Sequence, residues 1–298
     1  MEQTITELQT IGDFIRWGAS CFNQAHLFFG HGTDNAIDEA VGLVLFALHL
    51  PHNTPEILWQ TRLTTPEKQT VLTLLQQRIQ QRIPAAYLTQ TAWFAGLRFY
   101  VDSRVLVPRS PIAELIEHQF APWVEAEKVE SILDLCTGSG CIAIASAFAL
   151  PHAEIDATDI SVEALEVAYQ NVTDYGLEQR VHCVHSDLFS KLQGKQYDLI
   201  VCNPPYVNIQ EFEALPTEYH REPSIGLVGG EDGLDFVQQI LRSATHHLKP
   251  NGVLIVEVGT SQTALQRQYP HVPFTWLEFE RGGEGVFLLT AEQVATLT

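Results

Sequence analysis

Cationic side chains are scarce in this chain: 17 Lys and Arg stand against 36 Asp and Glu, a net charge of −19 over 298 residues. No Lys/Arg cluster occurs, and a surface of this sign repels phosphate backbones, so direct nucleic-acid recognition is not expected and a basic partner is. The plainer alternative is that the acid only keeps the chain in solution. Long apolar runs are missing too. The longest candidate, residues 40–50, falls short of the roughly 18 residues a bilayer span needs and is stopped by Pro51. The opening MEQTITEL is acidic where a secretory signal is basic and then apolar, so a cytoplasmic location without membrane association is expected. The five cysteines, Cys21, Cys136, Cys141, Cys183 and Cys202, include no C-x-x-C pair, which points to reduced thiols rather than disulfides or a metal knot. Among the 12 histidines, His182 and His185 face opposite sides of one strand, and His246 and His247 are adjacent on a helix. Neither pair has ligand geometry, so no metal is expected. Internal repeats and low-complexity tracts are also missing.

What is present is 45% hydrophobic residues, enough for one sizeable core and a smaller second one. Residues 1–90 read as a small helical bundle. Ile5, Leu8, Ile11 and Ile15 form one stripe running toward Phe22. Asp34 is placed to cap a second helix through Leu50, and Pro66 opens a third whose stripe is Val71, Leu72, Leu74, Leu75 and Ile79, ended by Pro84. These stripes announce helix packing and no chemistry. Residues 91–108 alternate instead, predicting a hairpin about Ala95-Gly96 and then a proline-bearing linker into a helix at about 112–120. From 109 to 298, strands at 131–136, 153–158, 181–185, 199–202 and 253–258 alternate with helices at 142–149, 161–175, 235–248 and 261–267, with a long loop over 207–233. Two last strands, near 274–279 and 285–290, are joined around Gly282-Gly283 and expected to pair antiparallel. Such alternation predicts an α/β fold with a mainly parallel, doubly wound sheet.

The first of these strands ends Asp134-Leu135-Cys136-Thr137-Gly138-Ser139-Gly140 and opens directly into a helix, the place where an open α/β sheet holds its ligand. Asp134, Thr137, Gly138 and Gly140 are therefore candidate cofactor residues, although any tight strand-to-helix turn uses glycine. The second strand ends at Asp159, where a carboxylate can grip two ribose hydroxyls. The third ends Ser186-Asp187-Leu188-Phe189, where Asp187 can accept from an adenine amino group beside an apolar platform. These features suit a dinucleotide as well as S-adenosylmethionine, and Ala143 in place of a third glycine does not decide between them.

The next motif decides. The fourth strand ends Asn203-Pro204-Pro205-Tyr206, facing the same crevice. A rigid turn alone needs neither Asn before the prolines nor an aromatic after them. An amide nitrogen is a poor nucleophile because its lone pair is delocalised into the carbonyl. The Asn203 side-chain carbonyl and the Pro204 backbone carbonyl can each accept one N–H of such a group, the prolines keep that backbone rigid, and Tyr206 offers a flat face. Asn203, Pro204 and Tyr206 are the catalytic candidates, Pro205 completes the substrate-binding turn, and Asn203 also borders the cofactor.

Together, Asp134-Leu-Cys-Thr-Gly-Ser-Gly-Cys-Ile-Ala-Ile-Ala145 and Asn203-Pro-Pro-Tyr206 resemble the class I protein-glutamine methyltransferases. Glu222-Pro223 and Gly229-Gly-Glu-Asp-Gly-Leu234 are similar to the same group. The resemblance implies a Rossmann-like sheet with the last strand antiparallel, an N-terminal helical substrate-recognition domain (1–90), a β-hairpin linker (91–108) and an S-adenosylmethionine-dependent catalytic domain (109–298). It also implies that Gly138, Gly140 and Asp159 bind the cofactor, that Leu188 flanks its adenine, and that Asn203 to Tyr206 hold the glutamine. One branch of the family modifies peptide-chain release factors, with Pro-Arg-Pro-Glu-Thr-Glu in the linker. The other modifies the third protein of the large ribosomal subunit, and Pro108-Arg-Ser-Pro-Ile-Ala-Glu114 and Phe279-Glu-Arg-Gly-Gly-Glu-Gly-Val-Phe287 are similar to that branch. Leu188 stands where the release-factor branch often carries Trp.

Charge agrees with a basic ribosomal protein as substrate. Residues 1–108 hold seven Lys/Arg and nine Asp/Glu, whereas 109–298 hold ten and 27, so the catalytic region carries −17 of the −19. Glu211, Glu213, Glu218 and Glu222, in the loop after the catalytic motif, are expected to face substrate, the plainer alternative being that they are simply solvated. Arg109 is left between substrate contact and capping of the linker helix. The main rival is an adenine amino-methyltransferase, whose planar NH₂ target calls for a similar turn but also for a basic cleft. A non-catalytic cofactor-binding or ribosome-binding module would not need an intact acceptor turn.

Overall fold

The computed structural model describes residues 6–297. Ile5, which opens the first expected stripe, lies outside them. The chain divides into two compact units, one comprising the chain up to Ala92 with Pro216–Arg221, the other Trp93–Leu215 with Glu222–Thr298. Among the described residues no helix is long and apolar enough to cross a membrane.

The first unit is built on α1 (Ile11–Gln24), α2 (Ala36–Ala47), α3 (Thr65–Gln81) and the short α4 (Ala85–Thr89). Each long helix begins on a side-chain cap. Thr10 and Asp13 form a capping box on α1, and Thr64 and Glu67 form one on α3. Asn35, rather than the expected Asp34, caps α2, its Oδ1 accepting from Ile37 and Asp38 N–H. A cap of this kind is worth about 1 kcal/mol. Helix α2 stops at Ala47 rather than Leu50, and α3 ends before Pro84 because Arg82 turns into the left-handed region. Phe14, Phe22, Leu43, Val44, Leu72 and Leu75 fill the core between the helices. Segment 216–221 joins this unit because Glu218, 1% exposed, accepts from Arg78 (3.3 Å), Arg82 (3.3 Å) and the Phe28 N–H (3.1 Å). Burial alone would raise the Glu218 carboxyl, but the Phe28 N–H and the Arg78 charge hold it below its ordinary value.

In the second unit a hairpin comes first, β1 (Ala92–Phe94) and β2 (Leu97–Phe99), turning at Ala95-Gly96 with positive φ at both residues. After α5 (Ile112–Glu117) come β3 (Ser131–Leu135), α6 (Cys141–Ala149), β4 (Glu154–Asp159), α7 (Val162–Asp174), β5 (Val181–His185), β6 (Tyr197–Cys202), α8 (Ile209–Ala214), α9 (Asp235–Ser243), β7 (Leu248–Glu257), α10 (Gln262–Gln268), β8 (Thr275–Trp276), β9 (Val286–Thr290) and α11 (Ala291–Ala295). The seven-stranded sheet has the order β5-β4-β3-β6-β7-β9-β8. Strands β3 to β7 run parallel, whereas β9 is antiparallel to β7 and β8 antiparallel to β9. This is the Rossmann-like sheet of class I methyltransferases. Strand order reverses between β3 and β6, so the loops leaving these two strands open the crevice where such sheets bind ligands. Helices cover both faces, which is why Ile132 to Leu135 and Leu199 to Cys202 are buried without alternation. The loop expected over 207–233 contains α8, capped by Asn208, and the helix expected to reach 248 stops at Ser243 because β7 begins at Leu248.

Candidate active site

Two strand ends supply the site. At the end of β3, Asp134 is fully buried, and its Oδ2 accepts from the Thr137 hydroxyl at 2.6 Å and the Ala143 N–H at 3.0 Å. Its Oδ1 has no hydrogen-bond partner among the described residues. Burial pushes this carboxyl up to about 7 against the two donors. Gly138 has a φ of +55°, and nothing lies within 4 Å of where its Cβ would be, so the loop leaves open space above its backbone. Gly140 is required on the opposite side, where a Cβ would come 3.3 Å from that of Ala168 on α7. Asp159, ending β4, accepts from the Gly138 N–H and the Ser161 N–H, both at 2.9 Å, and burial raises its carboxyl against these donors. A carboxylate has about four lone-pair sites, so Asp159 keeps acceptor capacity for a ribose hydroxyl beyond these backbone donors. Beyond β5, Asp187 is exposed and Leu188 half-buried with a φ of +44°, while Phe189 turns inward and stacks on His247 at 4.6 Å.

A cradle with an orphaned buried carboxylate oxygen, an open glycine backbone and an acceptor for ribose hydroxyls fits S-adenosylmethionine. The orphan suits a cationic amino group, Asp159 suits the ribose, and Leu188 and Asp187 suit the adenine. The donor supplies an electrophilic methyl group on a sulfonium.

At the end of β6, Asn203 is half-buried, and among the described residues neither its side-chain amide nor the Pro204 carbonyl is engaged in a hydrogen bond. Both acceptors are thus available to a planar NH₂ group. Tyr206 is held firmly: its hydroxyl donates to Glu257 Oε1 at 3.0 Å, and its carbonyl accepts from the Ser261 hydroxyl at 2.8 Å. Glycines let three neighbours press against this turn. A Cβ at Gly259 would lie 2.5 Å from Tyr206 Cε2, one at Gly229 would lie 2.6 Å from the Pro205 carbonyl oxygen, and one at Gly233 would collide with the Tyr206 carbonyl. The free thiols take no part. Burial pushes Cys141 up to about 12 and also raises Cys202 well above its ordinary value, so neither is a thiolate.

Two of the loop glutamates do not face substrate as expected. Glu218 is consumed by Arg78 and Arg82, and Glu222, 4% exposed, forms a bidentate pair with Arg109 at 2.7 Å for both contacts. Arg109 therefore ties the linker to the loop instead of capping α5. Glu211 accepts from the Thr260 hydroxyl at 3.1 Å.

Sequence reading missed Asn171 and Glu257. Asn171, buried on α7, donates to the Ser139 carbonyl of the cofactor loop at 2.9 Å and exchanges hydrogen bonds with the Tyr100 backbone of the linker. Nothing in a helical stripe announces such a bridge. Glu257 could have been found, because a lone acid closing an apolar strand is the signal that picked out Asp134 and Asp159.

The model of the Methyltransferase small domain matches residues 118–217. Among solved structures, a methyltransferase from Pyrococcus furiosus shares 18% identity over 66% of this chain and 89% of its own, with a TM-score of 0.48. Sequence relatives reach much further. A ribosomal protein uL3 glutamine methyltransferase of Xanthomonas campestris pv. campestris is 53% identical over 97% of this chain and 93% of its own length. Another, of Neisseria meningitidis serogroup A, is 52% identical over 98% of this chain and 96% of its own. Near-full coverage at this identity makes the chain a member of the ribosomal protein uL3 glutamine methyltransferase family.

Proposed function

We propose that this protein transfers the methyl group of S-adenosylmethionine to the side-chain amide nitrogen of a glutamine in the large-subunit ribosomal protein uL3, in the cytoplasm, with uL3 recognised as a basic partner and without direct nucleic-acid recognition. The observation that carries the reading is the turn at 203–206, where two unengaged acceptors, the Asn203 side-chain oxygen and the Pro204 carbonyl, project from the strand end beside the cofactor loop. The names of the relatives support the choice of substrate.

Each residue then has a stated task. Asn203 and Pro204 accept the two N–H groups of the glutamine amide, fixing the nitrogen and favouring its pyramidal form, in which the lone pair is released from the carbonyl. Pro205 holds the turn rigid, and Tyr206 lies against the flat amide. Asp134, oriented by Thr137, holds the donor's amino group, while Gly138, Gly140, Asp159, Asp187 and Leu188 seat the remainder, with Asn203 at the boundary of donor and acceptor. With the donor bound, its methyl would pass from sulfur to the nitrogen lone pair, leaving the neutral thioether S-adenosylhomocysteine, and the methylated nitrogen would lose one proton to water. Orientation supplies much of the rate.

The test is transfer of labelled methyl from S-adenosylmethionine into an extract that lacks this activity, with the product identified by mass. Label on a glutamine side chain of uL3 is expected. Label in release factors, DNA or RNA instead overturns the assignment of substrate.

A further inference from the structure

Glu257 closes β7 one residue beyond the last registered pair, Cys202↔Val256, so it stands beside Asn203 at the carboxyl edge of the sheet. It is 5% exposed, yet both carboxylate oxygens are engaged. Oε1 accepts from the Tyr206 hydroxyl at 3.0 Å, and Oε2 accepts from the Ser110 hydroxyl at 2.5 Å. Ser110 lies in the linker next to Arg109, whose guanidinium holds Glu222. Gly259 also presses on the Tyr206 ring, where a Cβ would lie 2.5 Å from Cε2 and 2.8 Å from Cζ. Hydrophobic packing alone would leave a tyrosine at a strand end free to rock about χ1 and χ2. A buried acceptor at the phenol and a glycine at the ring edge leave one position.

We infer that Glu257 is a positioning residue for methyl transfer, fixing the Tyr206 ring against which the glutamine amide lies and joining it, through Ser110, to the linker. The inference rests on the reading of Tyr206 as a wall of the glutamine site. Burial raises the Glu257 carboxyl, but the Ser110 and Tyr206 hydroxyls and the Arg109 charge act against that.

The test is a double-mutant cycle between Glu257→Gln and Tyr206→Phe, read as kcat and as KM for the protein substrate, with donor affinity measured by calorimetry. Glu257→Gln alone is expected to lower kcat about tenfold while changing donor Kd less than about twofold. In the Tyr206→Phe background the same substitution should change kcat less than about twofold, since the hydroxyl through which Glu257 acts is gone. Equal losses in both backgrounds, or an unchanged kcat in Glu257→Gln, would overturn the inference. A second readout needs no substrate. In protein labelled with ¹³C at tyrosine Cζ, the signal that Tyr206→Phe deletes should shift in Glu257→Gln, and also in Glu257→Asp should the glutamine variant fail to fold. An unmoved signal overturns the positioning role, whereas failure to methylate uL3 by the unaltered protein bears on the choice of substrate alone.

Discussion

Asp134 divides its carboxylate between the fold and, in the proposed reading, the ligand. One oxygen is committed to Thr137 and Ala143, which fixes the start of α6, and the other is buried without a partner among the described residues. Burial raises its pKa from an ordinary 3.8 to about 7. A carboxyl raised by folding adds stability in its protonated form, present below about pH 4 and lost as the pH climbs through about 7. A bound ammonium favours the carboxylate, so donor binding should release a proton. Donor affinity is therefore expected to weaken as pH falls below about 7, approaching tenfold per pH unit, and Asp134→Asn should bind more weakly with a flat profile. Calorimetric titration with the donor between roughly pH 5.5 and 8 checks this. A flat profile in the unaltered protein would remove Asp134 from the cofactor site.

At the scale of elements, the catalytic turn is gripped between the loop at 229–233 and the start of the segment after β7. Gly259 has a φ of +43° and no room for a Cβ beside the Tyr206 ring. Gly259→Ala is expected to displace that ring, lower kcat at least about tenfold and destabilise the fold by about 1–3 kcal/mol, with donor affinity nearly unchanged. Steady-state kinetics beside thermal melts decide whether the loss is confined to turnover. The elements that frame this site were largely legible. Ser131 to Leu135 and Leu199 to Cys202 are short, largely apolar runs between turn residues, and Ala95-Gly96 marks its hairpin by turn chemistry alone. Helix α8 was not read, because its six residues are too few for a stripe, although Asn208 with Glu211 three positions on is a capping signal. The long reach of β7 back to Leu248 was hidden by Pro250-Asn251-Gly252, which reads as a turn. The loop glutamates were misread for a different reason. Arg78 and Arg109 lie 140 and 113 residues from Glu218 and Glu222, and no local pattern shows which surface acids meet such partners.

At the scale of the whole molecule, net charge is the property that bears on partners. With Glu218 and Glu222 paired internally, the chain still carries −19, nearly all of it beyond residue 108. Attraction of a basic substrate to this field is screened by salt over a Debye length of about 8–10 Å. KM for the protein substrate should accordingly rise about threefold or more between roughly 50 and 300 mM salt, with kcat little changed. A KM indifferent to salt would make the acid a matter of solubility. The turn at 203–206 is where the proposed reaction brings fold, cofactor and substrate together. Its most direct measurement is methyl transfer to uL3 by Asn203→Ala, compared with the unaltered protein at saturating donor. The geometry predicts a kcat lower by about 10²–10³ with donor affinity retained, and near-normal turnover would contradict the assignment of Asn203 as an acceptor for the glutamine amide.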